Sequence, residues 1–237
     1  TYGTKRIKPV NKVIGPGNQF VSAAKKEVSG DIGIEAMTAG PSEVLIVADK
    51  SSNPEWLASD LLGQAEHDQL AQCILISKDK NILEKTKKEV FEQLKNLPRS
   101  SIAKKSLIMN GILIYVNSDK KIIEITNKIG PEHLELNVKN YKSFVAKIKN
   151  AGSVCLGKYA VMAMTDYGAP GSNHVLPTNM TSKFSSGLNV SEFMKKISYI
   201  TLSKKGIDKL GPSAITLANY EGLQGHAQSI IKRIRRK

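Results

Sequence analysis

All four histidines of the chain stand next to polar residues that suit metal binding or acid–base chemistry, and none of them lies in an apolar run. They occur in four separate segments: Gln64-Ala65-Glu66-His67, Gly130-Pro131-Glu132-His133, Asp166 to His174, and Glu221 to His226. Histidine-based sites are commonly assembled from segments that are distant in sequence and adjacent in the fold. The pattern therefore predicts that these four segments converge on one site.

Oxygen and nitrogen side chains of these segments could bind one divalent cation. Gln64 and His67 are three residues apart in a predicted helix, so they project from the same face. Asp166 adds a carboxylate from a long loop, and His226 adds an imidazole between two helices. Such a set without thiolate suits zinc, with manganese or cobalt as substitutes. Each segment taken alone also fits a solvated helix end, a capping turn or an interhelical loop.

Two further motifs suit catalysis and cofactor binding. Glu132 and His133 follow a glycine and a proline and precede a predicted strand, where a rigid turn could hold a carboxylate and an imidazole for acid–base work. Adjacent side chains need not point the same way, so the sequence leaves this pairing open. Gly15-Pro16-Gly17-Asn18 lies between a predicted strand and a predicted helix, the context of a dinucleotide-binding turn. It lacks the third glycine of the usual fingerprint.

Short apolar runs alternate with amphipathic stretches, which predicts an α/β fold with a Rossmann-like, mostly parallel sheet and helices on both faces. The predicted strands are 12–14, 43–48, 73–76, 112–116, 134–138 and 153–156. The predicted helices are 19–28, 53–67, 81–97, 101–109, 120–129 and 141–148.

The amino-acid composition of the chain changes after these elements. Residues 162–186 are rich in Gly, Pro, Ser, Thr and Asn, which predicts a long functional loop. A strand-like segment at 197–202 and two helices follow. We therefore expect three regions. Residues 1–41 are the remnant of a cofactor-binding domain, 42–188 a Rossmann-like metal and substrate domain, and 189–237 a small helical extension for dimerisation.

Composition excludes some classes of protein. The chain is 41% hydrophobic, enough for a core, and its apolar runs are too short to span a membrane. Cys73 and Cys155 lie in apolar runs and are expected to be buried, reduced thiols of a cytoplasmic protein. The formal net charge of +14 is spread over helix surfaces as lysine, so we do not expect a nucleic-acid binder. The chain begins at Thr1 without a methionine, and we expect an upstream portion.

The chain resembles the histidinol dehydrogenase family. Seven motifs, in family order, carry the resemblance: Val13-Ile14-Gly15-Pro16-Gly17-Asn18, Ala39-Gly40-Pro41-Ser42-Glu43-Val44, Asp60 to His67, Gly130 to Glu135, Asp166 to Thr178, Ser185-Ser186-Gly187-Leu188, and Glu221 to His226. Family members are longer at the N-terminus, so the chain resembles their C-terminal portion.

The resemblance implies oxidation of L-histidinol to L-histidine through histidinal, with two NAD+ reduced in turn. Members of the family are homodimers with shared active sites. Carried over by motif, the zinc ligands would be Gln64, His67, Asp166 and His226, the last supplied by the other subunit. Substrate contacts would be Ser42, Gln64, His67, His133, Asp166, Glu221 and His226. Glu132 and His133 would be the acid–base pair, and Asn18 would contact NAD.

Three rival functions remain open on the sequence. A related dehydrogenase could oxidise another small alcohol, which a panel of alcohols would reveal. A basic nucleic-acid binder would show steeply salt-dependent affinity for arbitrary DNA. A zinc hydrolase would use Glu132 to activate water and would turn over without NAD.

Overall fold

A computed structural model describes residues 1–35, 40–168 and 173–234. The chain divides into two compact units, Thr1–Phe193 and Met194–Lys237. The first unit carries all the strands of the described residues, and the second carries two helices. No helix among the described residues is long and apolar enough to cross a membrane.

Parallel strands form the centre of the first unit. The strands are β1 (Lys12–Val13), β2 (Gly33–Ile34), β3 (Glu43–Ala48), β4 (Gln72–Ser77), β5 (Gly111–Tyr115), β6 (His133–Asn137) and β7 (Ser153–Leu156). β1 and β2 form a separate parallel pair. The other five make one parallel sheet in the order β5-β4-β3-β6-β7. Within this sheet the chain forms the middle strand β3 first, then β4 and β5 on one side, and then β6 and β7 on the other side.

Helices connect these strands. They are α1 (Gln19–Glu27), α2 (Pro54–Ala65), α3 (Lys80–Leu94), α4 (Ser100–Asn110), α5 (Asp119–Ile129), α6 (Lys142–Val145) and α7 (Met162–Tyr167). Two short 3-10 turns follow at Thr181–Lys183 and Val190–Phe193. The second unit contains α8 (Lys204–Tyr220) and α9 (Gln224–Ile234).

The central strands β3, β4 and β6 are buried on both faces, and helices flank the parallel sheet, which confirms the predicted fold class. In β3, Val44 and Ile46 pack with apolar residues of α2, α3 and α4. Leu45 and Val47 point to the opposite face and pack with α5 and α6. This alternation follows from the two-residue period of a strand. A strand that is apolar at successive positions can therefore be covered by helices on both sides.

Local signals fix the ends of the helices. The side chain of Asn53 caps α2 by accepting from the amide of Glu55, and Pro54 occupies the first helical position. Gly130 ends α5 in the left-handed conformation, with φ 59°. The turn after Gly130 leads directly into Glu132 and β6, so the end of α5 fixes where the predicted acid–base pair begins.

Three predicted elements differ in the structure. Residues 162–168 lie in the predicted loop, yet they include the six-residue helix α7. The predicted helix at 141–148 shortens to Lys142–Val145. The strand predicted at 197–202 is wrong, because this segment forms no strand with any of the described residues, and its Tyr199 and Ile200 are 90% and 85% exposed. β-branched and aromatic residues favour a strand only where a neighbour can pair with them.

The two cysteines behave as predicted. Cys73 and Cys155 are both buried and free. Burial raises the pKa of each thiol to about 12. Neither thiol is therefore ionised at neutral pH, and neither suits a role as nucleophile or metal ligand.

Replacing Gly130 with alanine should destabilise the first unit. A side chain disfavours the left-handed conformation, and a Cβ here would lie 2.6 Å from the hydroxyl of Ser182. We expect the free energy of unfolding in urea to fall by about 1–2 kcal/mol for the backbone term alone. Gly30→Ala is the matched control, because a Cβ there meets nothing within 4 Å. An equal decrease in the free energy of unfolding in both variants would contradict a special role for the left-handed conformation of Gly130.

Candidate functional site

The candidate site lies at the amino-terminal edge of the central sheet. Ser42 immediately precedes β3, and Glu132 immediately precedes β6. The two strands are neighbours, with Val44 paired to His133 in register. Doubly wound sheets usually bind ligands at the carboxyl ends of their strands. Here the predicted residues gather at the opposite edge.

One cavity of about 220 Å³ collects most of the residues predicted from the sequence. Its lining includes six of them: Ser42, Gln64, His67, Glu132, His133 and Asp166. They come from the start of β3, the end of α2, the start of β6 and the end of α7. Three of the four histidine segments therefore converge, as predicted.

Helix α2 presents Gln64 to this cavity. Gln64 is 1% exposed, and both its amide oxygen and its amide nitrogen are buried without a hydrogen-bond partner among the described residues. A buried, unpaired amide is costly unless something else satisfies it. His67 follows one turn later, and its backbone amide donates to the Gln64 carbonyl at 3.2 Å. An amide oxygen and an imidazole thus line the same cavity, and the unpaired amide fits a ligand.

Helix α7 presents Asp166 from the other side of the cavity. The ring Nε2 of His174 lies 2.8 Å from the backbone carbonyl of Asp166. A carbonyl oxygen only accepts, so the proton of His174 is on Nε2 in this arrangement. His174 therefore holds the end of α7 and also lines the cavity.

Glu132 is held in a buried turn by neighbouring backbone groups. Its carboxylate Oε2 accepts from the amide of Glu43 at 3.0 Å. Its carbonyl accepts from the amide of Ser153 at 2.8 Å. Burial, together with the nearby carboxylates of Glu43 and Asp166, raises the pKa of the Glu132 carboxyl to about 7, against the lowering effect of the hydrogen bond from the Glu43 amide. A carboxyl with this pKa can both accept and release a proton near neutral pH.

His133 lies directly beside Glu132 and is also buried, at 5% exposure. Its Nε2 is 3.8 Å from Oε1 of Glu132, and its Nδ1 is buried without a partner among the described residues. Burial lowers the pKa of the His133 imidazole to about 4, opposed by the carboxylate of Asp166. The imidazole is therefore neutral at pH 7, so His133 and Glu132 do not form an ion pair there.

A second cavity of about 160 Å³ shares Ser42, Glu132 and His174 with the first. The turn from Gly15 to Gly17 lines its far side. This turn is held because the amide of Gly15 donates to the carboxylate of Glu35 at 3.0 Å. The Gly-Pro-Gly turn predicted to bind a dinucleotide therefore adjoins the predicted acid–base pair.

Asn18 has a local structural role. Its side-chain oxygen accepts from the amides of Phe20 and Val21, which caps α1. Lys25, further along α1, pairs with Glu35. Asn18 is not among the residues that line the second cavity. Its predicted contact with NAD stays a prediction.

The remaining predicted residues belong to the second unit. Glu221 follows the last residue of α8, and His226 lies in the first turn of α9, with its amide bonded to the carbonyl of Leu223 at 3.0 Å. Both side chains are exposed within the chain. Their predicted roles as substrate contacts and, for His226, as a zinc ligand stay predictions.

The described residues of one chain do not by themselves hold three His, Cys, Asp or Glu side chains close enough to bind a metal ion. The first unit supplies only His67 and Asp166 of these types to the predicted ligand set, together with the amide of Gln64. These three side chains leave room for a fourth ligand from outside the first unit. A zinc ion in a protein usually has four ligands, or three protein ligands with water or substrate in the fourth position.

Sequence reasoning assigned no role to two groups that the structure places at the site. His174 was noticed as one of four histidines, yet only its contact with Asp166 shows what it does. Glu43 donates its amide to Glu132, and its own carboxylate accepts from the amide of Asn179 at 3.0 Å. An acidic residue at the first position of an apolar strand was the available signal for Glu43.

Comparison with known proteins gives consistent matches. Residues 1–234 match the sequence model of one family, Histidinol dehydrogenase. The chain is 72% identical over 236 residues to histidinol dehydrogenase of Pelagibacter ubique (strain HTCC1062), covering all of this chain and 55% of that protein. It is 46% identical over 232 residues to histidinol dehydrogenase of Zymomonas mobilis, covering 98% of this chain and 54% of that protein.

A solved structure agrees. The crystal structure of histidinol dehydrogenase from Elizabethkingia anophelis superposes with a TM-score of 0.91 at 42% identity, covering 98% of this chain and 53% of that one. The chain thus spans about half the length of the relatives it matches.

The neutral state of His133 can be measured directly. We expect the imidazole resonances of His133 in the metal-free protein to titrate near pH 4 by NMR, assigned with a His133→Gln variant. Because the pKa is lower in the folded state, stability from this group is present above the unfolded pKa of about 6.5. It is lost as the pH falls toward 4. A titration midpoint near 6.5 would contradict burial as the cause.

Proposed function

Because the chain belongs to the histidinol dehydrogenase family, we propose that it supplies the site for zinc-dependent, NAD-linked oxidation of L-histidinol to L-histidine through histidinal. These are the last two steps of histidine biosynthesis. The observation that carries the proposal is the pair of Glu132 and His133, which are adjacent and buried, with a carboxyl whose pKa is about 7 beside an imidazole that is neutral at that pH. They line one cavity with the predicted metal and substrate residues.

The residues of the cavity fit a zinc ion. Gln64 offers a buried amide oxygen that has no other partner among the described residues, beside the imidazole of His67 and the carboxylate of Asp166. His226 of a second subunit would complete four nitrogen and oxygen ligands, within the range that zinc accepts. When bound, such an ion positions the substrate's imidazole and amine and polarises its oxygen.

The residues of the second cavity fit part of a dinucleotide. The Gly15–Gly17 turn opens between β1 and the N-terminus of α1, the context in which phosphates bind. When bound, NAD+ supplies the hydride acceptor for both steps. Because the two cavities share Ser42 and Glu132, a nicotinamide in the second would lie next to the acid–base pair in the first.

The two oxidations need two proton acceptors, and the pair provides them. In the first step, neutral His133 takes the proton of the substrate hydroxyl as hydride leaves the carbinol carbon. In the second step, Glu132 takes a proton from the water that attacks histidinal, and hydride leaves the hydrated carbon. Each step passes one hydride to NAD+. The first step releases one proton, and the second consumes one water and releases two protons, one of them when the carboxylic acid ionises to the carboxylate of L-histidine.

The proposal includes a cytoplasmic homodimer with shared sites. Glu221 and His226 lie in a unit of two helices that exposes much apolar surface, including Leu210, Leu217 and Tyr220. Apolar faces of this kind commonly mark a subunit contact. A site completed by His226 of the partner would be formed only in the dimer.

Removing the amide of Gln64 should weaken zinc binding. We expect Gln64→Ala to lower zinc affinity at least about tenfold, judged from losses seen when groups around a metal are removed. Gln93→Ala is the control, because Gln93 is partly exposed and bonds to Ser59 and Glu55 on the surface of α2. Zinc content per chain should be measured with and without L-histidinol. Unchanged zinc affinity in Gln64→Ala would remove Gln64 from the ligand set.

The two chemical steps should separate in a Glu132→Gln variant. We expect oxidation of histidinal to fall by a factor of about 10²–10⁴, the usual contribution of a general base, and oxidation of histidinol to fall less. Single-turnover measurements with each substrate give the comparison, and a panel of other small alcohols tests substrate choice. Glu124→Gln, an exposed change on α5, is the control. Equal losses in both steps would contradict the water-activating role.

A further inference from the structure

Two carboxyl groups, Glu135 buried and Asp60 half-buried, lie one layer behind the candidate site. Asp60 is in the middle of α2, four residues before Gln64, and Glu135 is in β6, two residues after His133. Both offsets place each acid on the same face of its element as the site residue. Glu135 is 1% exposed and sits on the sheet face that α2 covers. Neither acid has a part in the mechanism above.

The two carboxyls face each other across α2 and β6. Oδ2 of Asp60 and Oε2 of Glu135 are both buried and have no conventional donor among the described residues. Burial raises the pKa of both groups, and the charge of Asp60 raises the pKa of Glu135 further. Two like charges cannot both persist at such a place, so one carboxyl keeps a proton and donates it to the other.

A third element is attached through the other oxygen of Glu135. Oε1 of Glu135 accepts from the backbone amide of Met162 at 2.7 Å. Met162 is the first residue of α7, and Asp166 lies four residues later in that helix. The acid pair therefore links three elements that carry site residues. Asp60 is four residues from Gln64 in α2, and Glu135 is two residues from His133 in β6. Met162, which Glu135 holds, is four residues from Asp166 in α7.

We propose that Asp60 and Glu135 form a positioning pair that fixes α2, β6 and α7 relative to one another and so sets the spacing of Gln64, His133 and Asp166. The inference rests on the proposed function for its catalytic readout. An apolar pair in the same place would fill the volume, yet it would leave the amide of Met162 unpaired. The start of α7, and with it Asp166, would then lose its anchor.

The test compares substitutions that keep or remove the hydrogen bonds. Glu135→Gln and Asp60→Asn keep them, because an amide can donate to the opposite carboxylate and, in Glu135→Gln, still accept from Met162. Glu135→Leu removes them at similar volume. Leu136→Ala is the matched control, since Leu136 is fully buried on the opposite face of the same strand. All four would be made in the intact protein.

We expect Glu135→Leu to lower zinc affinity by about tenfold to a hundredfold, the usual loss when a group that orients metal ligands is removed. The zinc affinities of Glu135→Gln and Asp60→Asn should stay within about threefold of that of the parent protein, a difference of under about 1 kcal/mol. Leu136→Ala should lower the melting temperature without changing zinc affinity beyond that span. Glu135→Leu should also raise the KM for L-histidinol more than it lowers kcat, because the ligands are displaced while His133 keeps its imidazole.

A readout independent of zinc separates this proposal from the proposed function. Hydrogen exchange at the amide of Met162 should speed up in Glu135→Leu and not in Leu136→Ala. If the parent protein binds no zinc, the proposed function fails, while faster exchange still supports the pair. The positioning pair is overturned if Glu135→Leu matches Leu136→Ala in both hydrogen exchange and zinc affinity. It is also overturned if zinc affinity falls as much in Glu135→Gln as in Glu135→Leu.

Discussion

The pairing of β3 with β6 is the constraint on which the candidate site depends. It places Val44 beside His133 and brings the amide of Glu43 to the carboxylate of Glu132. The two strands are separated by more than 80 residues of chain, and β4, β5 and their helices, which lie between them in sequence, occupy one side of the sheet. A shift of register by one residue would turn His133 away from α2 and into the opposite core.

Burial explains the chemistry of the site better than any single contact does. The same loss of water raises the pKa of Glu132 and lowers that of His133, so burial favours the neutral form of each neighbour over an ion pair. Groups buried in this way destabilise the fold unless they are compensated. The compensation here is structural, through backbone bonds to Glu132 and through the proton shared by Asp60 and Glu135.

Much of the fold could be predicted because the signals are local. β3 and β7 have their predicted bounds, since continuous apolar runs between turns define them. Helix α7 was missed because six residues are too few to show a period. The strand predicted at 197–202 failed because pairing is a long-range property. At the site, residue types predicted the convergence on the cavity, whereas the orphaned amide of Gln64 and the contact of His174 with Asp166 depend on packing.

The position of the site at the amino edge has a physical consequence. At the carboxyl edge of a parallel sheet, the N-termini of the following helices offer amides to anions. At the amino edge, helix α2 instead arrives with its C-terminal end, near Gln64 and His67, where the helix dipole favours a positive charge. A cation held by Gln64 and His67 would therefore gain from the dipole of α2. The turn at Gly15–Gly17 precedes the N-terminus of α1 and offers the opposite polarity, which suits phosphate. The two adjoining cavities thus differ in the sign of charge that their helices favour.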